Sequence, residues 1–144
     1  MENDLIRSLV AIVSFFNRTD RDKAFIKEAG VDLEATAFQL FVTIGRMQPT
    51  NVTDLANVLG KSHSSVSRQI DKLEQKGLVT TKDAAKDARF RDVTLSKNGE
   101  KLKQTFDATR LKLMDEALSD WSDVEKIDLE NNLVHLAKTL KKIE

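Results

Sequence analysis

The first segment of the chain repeats apolar residues at the spacing of an amphipathic helix. Leu5, Leu9, Ile12 and Phe16 recur every three or four residues, with further apolar side chains beside them. Because this apolar stripe is broad, we expect a helix that buries most of its circumference. The next segment, 17–30, is mostly polar and is interpreted as a loop or a short helix.

A second long helix is predicted over residues 33–47. Apolar residues lie on nearly every face of this segment, which is typical of a central core helix. It should end before Pro49, because the residue that precedes a proline avoids helical geometry.

End signals then define two short helices separated by a tight turn. Thr53 is placed as the N-cap of the first, because its hydroxyl can accept a backbone N–H of the first turn, and Gly60 ends it with a left-handed residue. Ser62 is placed as the N-cap of the second, which covers 63–76 and ends at Gly77. A connection this short predicts a tightly packed helix pair.

Two short β-branched runs, 78–81 and 91–95, enclose a polar and charged stretch. This arrangement predicts a β-hairpin with a solvent-exposed tip over 82–90. Ser96 is placed as the N-cap of a further helix. The residues that mark one face of that helix are Leu102, Phe106, Thr109, Leu113, Ala117, Leu118 and Trp121.

The last helix carries apolar residues at alternating four- and three-residue steps, which is an a/d heptad seam. The seam consists of Leu129, Leu133, Leu136, Leu140 and Ile143. It can pack within the chain or form a subunit interface. Together the elements predict a mainly α fold with a small β-hairpin wing, in which a winged helix-turn-helix core is flanked by N- and C-terminal helices.

Composition narrows the range of functions. The 144 residues include 40% hydrophobic and 32% charged residues and no cysteine. Disulfides, thiolate nucleophiles and cysteine-ligated zinc are therefore excluded. No stretch approaches the ~20 apolar residues of a membrane span. The N-terminus carries acidic residues and no small-residue cleavage site, so it is interpreted as a helix rather than a signal peptide, and we expect the cytoplasm.

The charge is distributed unevenly although its sum is zero. Residues 61–91 contain eight Lys or Arg and four acidic residues, so this segment has a net charge of +4 and the remainder −4. A segmental positive charge favours a polyanionic partner. Chance clustering on a solvated face is the alternative.

The helix predicted over 63–76 presents two different faces on a helical wheel. The core side holds Val66, Ile70 and Leu73. The opposite side holds Ser64, Arg68 and Gln75, flanked by Ser67, Asp71 and Lys72. Small side chains let a helix sit deep in a major groove, where Ser and Arg can bond phosphates or base edges. A capped surface helix without a ligand has the same composition and is the alternative.

The hairpin tip is rich in cations. They are Lys82, Lys86, Arg89 and Arg91. Arginine at such a tip can enter a narrow minor groove, where the negative potential is concentrated. A mobile, solvated loop is the alternative interpretation.

The run VTDLANVLGKSHSSVSRQIDKLEQKGLV and the later run KDARFRDVTLSKNGEKL resemble the MarR family of bacterial transcriptional regulators. The matching pieces are 53–56, 59–60, 64–68, 73–79, the wing signature 87–89, 95–96 and Gly99. They cover the central third of the chain. The helices on both sides match in length and order rather than in motif.

The resemblance implies one domain over 1–144, with a winged helix-turn-helix lobe over 33–95 and helical dimerisation regions over 1–30 and 96–144. It implies a sequence-specific regulator of double-stranded DNA, commonly a repressor, that binds a pseudo-palindromic operator as a homodimer. Many members release DNA when a small, often aromatic, ligand binds. The dimerisation residues expected are Leu5, Leu9, Ile12, Leu129, Leu133, Leu136 and Leu140.

The resemblance also assigns DNA contacts. It implies that the serines and Arg68 of the second short helix face the major groove, and that Arg89 reaches the minor groove with support from Asp87. The DNA-binding residues expected are Thr53, Ser62, His63, Ser64, Ser65, Ser67, Arg68, Lys72, Lys86, Asp87, Arg89 and Arg91. Where the family's usual wing has arginine, this sequence has Ala88, so one phosphate contact is missing and Lys86 or Arg91 would have to compensate.

Other chemistry finds no support in the sequence. His63 and His135 lie on different predicted helices, and no cluster of metal ligands is visible, so no metal or cofactor is expected. No Ser/His/Asp set and no Gly-rich phosphate loop indicates an enzyme. Aromatic side chains could line an effector pocket, although at helical spacing they more often form core: Phe15, Phe16, Phe25, Phe38, Phe41 and Trp121. The alternative function is a winged-helix protein-interaction module that does not bind DNA.

Overall fold

The structure, a computed structural model, describes residues 1–82 and 91–144, except for the side chain of Thr19. The elements in chain order are α1 (Glu2–Phe16), α2 (Thr19–Glu28), α3 (Ala35–Met47), β1 (Thr50–Asn51), α4 (Val52–Leu59), α5 (His63–Gln75), β2 (Val79–Lys82), β3 (Asp92–Leu95), α6 (Lys97–Ala117) and α7 (Asp123–Lys141). The chain divides into two compact units, Met1–Thr109 and Arg110–Glu144. The predicted class, a mainly helical fold with a β wing, is confirmed.

The N-terminal helix forms where the apolar periodicity predicts it, but it is not buried. No residue of α1 is buried, and Leu5 is 55% exposed. The expectation that this helix buries most of its circumference is therefore wrong for the single chain. The segment left open as a loop or a short helix is helical as α2, and the Arg21 guanidinium of α2 lies 4.7 Å from the centre of the Phe15 ring.

The predicted core helix is α3, and it does lie at the centre of the first unit. Phe38, Phe41 and Ile44 are all buried. The rings of Phe38 and Phe41 pack against Phe106 of α6, with centroids 5.1 and 5.8 Å from it. This aromatic cluster joins α3 to the middle of α6.

The predicted hairpin strands are present as β2 and β3, which pair antiparallel with Val79 opposite Leu95 and Lys82 opposite Asp92. The sequence pattern missed a third strand. β1 pairs with the other side of β3, which places Thr50 opposite Val93 in a sheet of order β1-β3-β2. The sheet is thus three-stranded rather than a lone hairpin.

The first helix of the helix-turn-helix begins earlier than predicted. Its N-cap is Asn51, whose Oδ1 accepts a hydrogen bond from the Asp54 backbone N–H at 2.8 Å. The placement of Thr53 as the N-cap is therefore wrong, since Thr53 lies inside the first turn of α4. Asn51 is extended and closes β1 before it caps α4, so one residue ends a strand and begins a helix.

The start of α6 packs closely against the end of α5. Ser96 is the predicted cap: its Oγ accepts from the Gly99 N–H at 3.0 Å and donates to the Gly77 carbonyl at 2.6 Å. A Cβ on Gly99 would lie 2.0 Å from the Leu78 carbonyl oxygen, well inside contact distance. Only glycine fits this approach. The helix ends at Ala117, so Leu118 and Trp121 lie beyond it.

The second unit contains α7, whose seam does not become buried in the chain. Leu133 is 48% and Leu140 49% exposed, while Leu129 and Leu136 are half-buried. The sequence reasoning missed a capping box at the start of this helix, in which Ser122 and Glu125 each bind the other's backbone N–H. Across residues 1–82 and 91–144, no helix is both long enough and apolar enough to cross a membrane.

Candidate nucleic-acid interface

The helix-turn-helix holds α5 in a fixed rotation. Gly60 is left-handed, with φ of 63°, and lets the Lys61 N–H bond the Ala56 carbonyl at 3.0 Å, which closes the turn after α4. Ser62 then caps α5 as predicted, because its Oγ accepts from the Ser65 N–H at 3.1 Å. At the other end α5 stops at Gln75, one residue earlier than predicted, before the left-handed Gly77.

The two faces of α5 differ as the helical wheel predicts. Val66, Ile70 and Leu73 are all buried. The opposite face is open to solvent, and its exposed residues include His63, Ser64, Arg68 and Lys72. Because the buried side chains prevent the helix from rotating, the hydroxyl and cationic groups are presented in one direction.

The remaining hydroxyl residues at this surface are less accessible. Thr53, Ser65 and Ser67 are half-buried. Ser62 is exposed, but its Oγ already accepts the capping bond and lies 3.3 Å from the Ser64 Oγ. The most accessible groups for an external ligand are therefore His63, Ser64, Arg68 and Lys72.

Among the described residues of the hairpin, Thr81 and Arg91 form side-chain contacts with α5. The Glu74 carboxylate accepts hydrogen bonds from the Thr81 N–H at 3.1 Å and the Thr81 Oγ1 at 2.5 Å. The Arg91 Nη2 lies 2.9 Å from the Asp71 Oδ1, and the Arg91 side chain is only 11% exposed. Sequence reasoning missed both contacts and treated Arg91 as a cation available to phosphate.

Three of the predicted DNA-binding residues, Lys86, Asp87 and Arg89, lie outside the described residues, so their roles stay predictions. His63 and His135 are exposed on separate helices. In the part of the chain that the structure describes, no group of three or more His, Cys, Asp or Glu residues is placed to hold a metal ion. The residues that the structure brings together are those of α5 and the root of the hairpin.

Comparison with known proteins shows which family this part of the chain resembles. The sequence model of the MarR family matches residues 31–89, which include α3, α4, α5 and β2. YxaD of Bacillus subtilis (strain 168), an uncharacterized HTH-type transcriptional regulator, is 30% identical over 95 residues. The aligned stretch covers 66% of this chain and 66% of that relative, slightly less than two thirds of its length.

Solved structures share the fold over nearly the whole chain. The Staphylococcus aureus MarR in complex with salicylate and kanamycin has a TM-score of 0.71 at 15% identity, over 98% of this chain and 93% of that one. Streptococcus pneumoniae FabT in complex with DNA has a TM-score of 0.66 at 14% identity, over 100% of both chains. These similarities show the fold.

The comparisons agree with the motifs at 53–56, 64–68 and 73–79 on which the resemblance rests. They also support the expectation that the chain is not an enzyme, because the matched family is one of transcriptional regulators. The chain therefore resembles the MarR family over residues 31–89, and it has the winged helix-turn-helix fold of solved MarR structures.

Proposed function

We propose that the protein is a sequence-specific regulator of transcription that inserts α5 into the major groove of double-stranded DNA. The observation that carries this proposal is the exposed face of His63, Ser64, Arg68 and Lys72 on a helix whose other face is buried. A capped helix N-terminus also offers backbone N–H groups to a phosphate. The fold shared with FabT, which was solved in complex with DNA, supports DNA as the ligand.

The hairpin contributes the second DNA contact in this proposal. By resemblance, Arg89 enters the minor groove beside α5 and Asp87 supports it. Both lie outside the described residues, but the strands β2 and β3 that lead to them are fixed against α5. The segmental charge of +4 over 61–91 attracts the DNA backbone.

A homodimer is the proposed active form. Support comes from large apolar residues that the single chain leaves exposed in both units: Leu5, Ile6, Val10, Ile12, Val13 and Phe16 of α1, and Leu133 and Leu140 of α7. Water contact with so many apolar side chains is costly, so a second copy would stabilise them by covering them. Two recognition helices related by a two-fold axis would read half-sites about 34 Å apart in a pseudo-palindromic operator.

Repression and release by a ligand complete the proposal. A regulator bound across a promoter blocks transcription, which makes repression the role proposed here. The S. aureus MarR neighbour was solved with salicylate and kanamycin, which supports a small, often aromatic, effector. Because the proposed target is chromosomal DNA, we place the protein in the cytoplasm.

The proposal is tested by fluorescence anisotropy with a duplex from the protein's own promoter and a scrambled duplex. The wild type should prefer the promoter duplex. Arg68→Ala should weaken this binding by roughly 1–3 kcal/mol and lower the slope of log K against log salt by about one. Arg7→Ala removes the same charge from exposed α1 and is the matched control, with no expected effect on affinity.

Two results would contradict the proposal. Equal affinity for the promoter and scrambled duplexes would exclude sequence-specific regulation at that site. Absence of binding to any duplex, even at low salt, would favour the protein-interaction module instead.

A further inference from the structure

The root of the wing is fixed by two acidic residues of α5. We define the wing root as Asp71, Glu74, Thr81 and Arg91. We propose that Arg91 and Asp71 form a positioning pair, which sets the wing at the angle to α5 that DNA binding requires, and that Arg91 does not itself bind phosphate. This inference rests on the proposed function and adds positioning residues to it.

The geometry favours an intramolecular role for Arg91. Its Nη2 is 2.9 Å from the Asp71 Oδ1, and its side chain is 11% exposed, whereas that of Asp71 is 54% exposed. A guanidinium that binds a phosphate has to reach solvent first. Arg91 would have to break its pair and leave its covered site to do so, which the exposed Arg68 and Lys72 do not need to do.

The second contact holds the other strand of the same hairpin. Asp71 and Glu74 are three residues apart on α5, so they lie on one face of the helix. Glu74 binds Thr81 in β2, and Asp71 binds Arg91 directly before β3. Because Lys82 pairs with Asp92, both contacts lie at the end of the hairpin from which residues 83–90 continue. The wing root therefore fixes the two points where that segment begins and ends.

Because Asp71 is negatively charged, a positioning role can be distinguished from its direct electrostatic effect on DNA binding. A carboxylate on a helix that faces DNA repels phosphates, so removing it should strengthen binding if charge alone decides. If Asp71 positions the wing through Arg91, removing its charge should weaken binding. The two explanations thus predict opposite effects of Asp71→Asn on the same measurement.

The experiment measures the affinity of the protein for the promoter duplex in a double-mutant cycle. Asp71→Asn and Arg91→Gln should each weaken binding roughly three- to tenfold, the range of a partly exposed ion pair, and the double variant should lose no more than either single variant. Asp71→Glu, which keeps the charge, should recover most of the loss. Asp92→Asn is the control, since Asp92 is exposed and next to Arg91, and it should bind as well as or better than the wild type.

Circular dichroism and a thermal melt of each variant establish that it is folded. Tighter or unchanged binding by Asp71→Asn, or losses that add in the double variant, would overturn the positioning role while the wild type still binds its promoter. A wild type that binds no DNA would overturn the proposed function and, with it, this role of the pair.

Discussion

The winged lobe and the terminal helices share an amphipathic sequence pattern, but only the lobe buries its apolar residues within the single chain. In the lobe, Ile44, Leu55 and Ile70 are completely buried by their own chain. In the terminal helices α1 and α7, apolar residues at equally regular spacing remain about half exposed, as at Leu5 and Leu133. An amphipathic pattern identifies the apolar face of a helix, but it does not show which part of the chain or which other molecule buries that face. The lobe covers its own apolar residues, whereas the single chain leaves those of the terminal helices exposed.

The largest expected effect tests the core of the first unit, Met1–Thr109, which the chain buries by itself. Phe106→Ala should lower the free energy of unfolding by about 3–5 kcal/mol, because Phe106 is buried and packs against the rings of Phe25, Phe38 and Phe41. Denaturant unfolding measures the change. Leu111→Ala, at an exposed position of the same helix, is the control and should cost far less. Similar losses of stability for both variants would mean that Leu111 also belongs to a buried core, although the single chain leaves it exposed.

The next effect tests the terminal helices. Leu133→Asp should weaken the proposed dimer by about two orders of magnitude, because it would place an unpaired charge into an apolar interface in both copies. Sedimentation velocity at several concentrations would show the shift to monomer. Asn132→Asp adds the same charge one residue away and should leave the proposed dimer intact. A Leu133→Asp protein that stays dimeric would remove the α7 seam from the interface.

A smaller effect separates stability from DNA binding within the lobe. Ser62→Ala should lower the free energy of unfolding by about 1 kcal/mol, since the cap on the Ser65 N–H is lost. Ser62→Asp should restore stability, because aspartate is an equally good cap, but it should bind DNA more weakly than the wild type because it adds a negative charge. Unfolding curves and anisotropy on the same samples make the comparison. Parallel recovery of both properties would argue against DNA at the start of α5.

The smallest effect concerns the pH dependence of α7. The backbone N–H of Ser122 donates to Glu125 and lowers the pKa of that carboxyl below its usual value. A lowered pKa in the folded state gives stability that is present above the unfolded pKa of about 4.3 and is lost as the pH falls through the folded value. In thermal melts, Glu125→Gln should therefore have a lower melting temperature than the wild type at pH 7. The two melting temperatures should become equal at pH 2–3. A difference in melting temperature that persists at pH 2–3 would contradict the stabilising role of the Glu125 carboxylate.

The parts of the fold that the sequence predicted depend on neighbouring residues. The caps at Ser62 and Ser96, the left-handed Gly60 and the buried face of α5 all follow from signals within one or two helical turns. The pairing of β1 with β3 joins residues about forty positions apart and involves only two residues of β1, so no periodicity could show it. Asn51 was missed for the same reason, since its capping role depends on the end of that strand.

The candidate site likewise contains residues that the sequence predicts and a contact that it does not. The outward residues of α5, such as Ser64 and Arg68, could be read from a helical wheel. Charge and position alone made Arg91 equivalent to the other cations of the wing. Only the three-dimensional structure shows that Asp71, twenty residues earlier, already holds its guanidinium. The net charge of residues 61–91 therefore overstates the number of cationic side chains in that segment that a ligand can reach.

The contact between Gly99 and the Leu78 carbonyl has a consequence for how this sequence can vary. In a library that randomises single codons and selects for a folded protein, position 99 should return only glycine, because every other residue adds the Cβ that the carbonyl excludes. Position 60 should be more permissive: its backbone is left-handed but the space around it is open, so asparagine should survive there. The two glycines should therefore tolerate different substitutions, because available space decides at position 99 and the backbone angle decides at position 60.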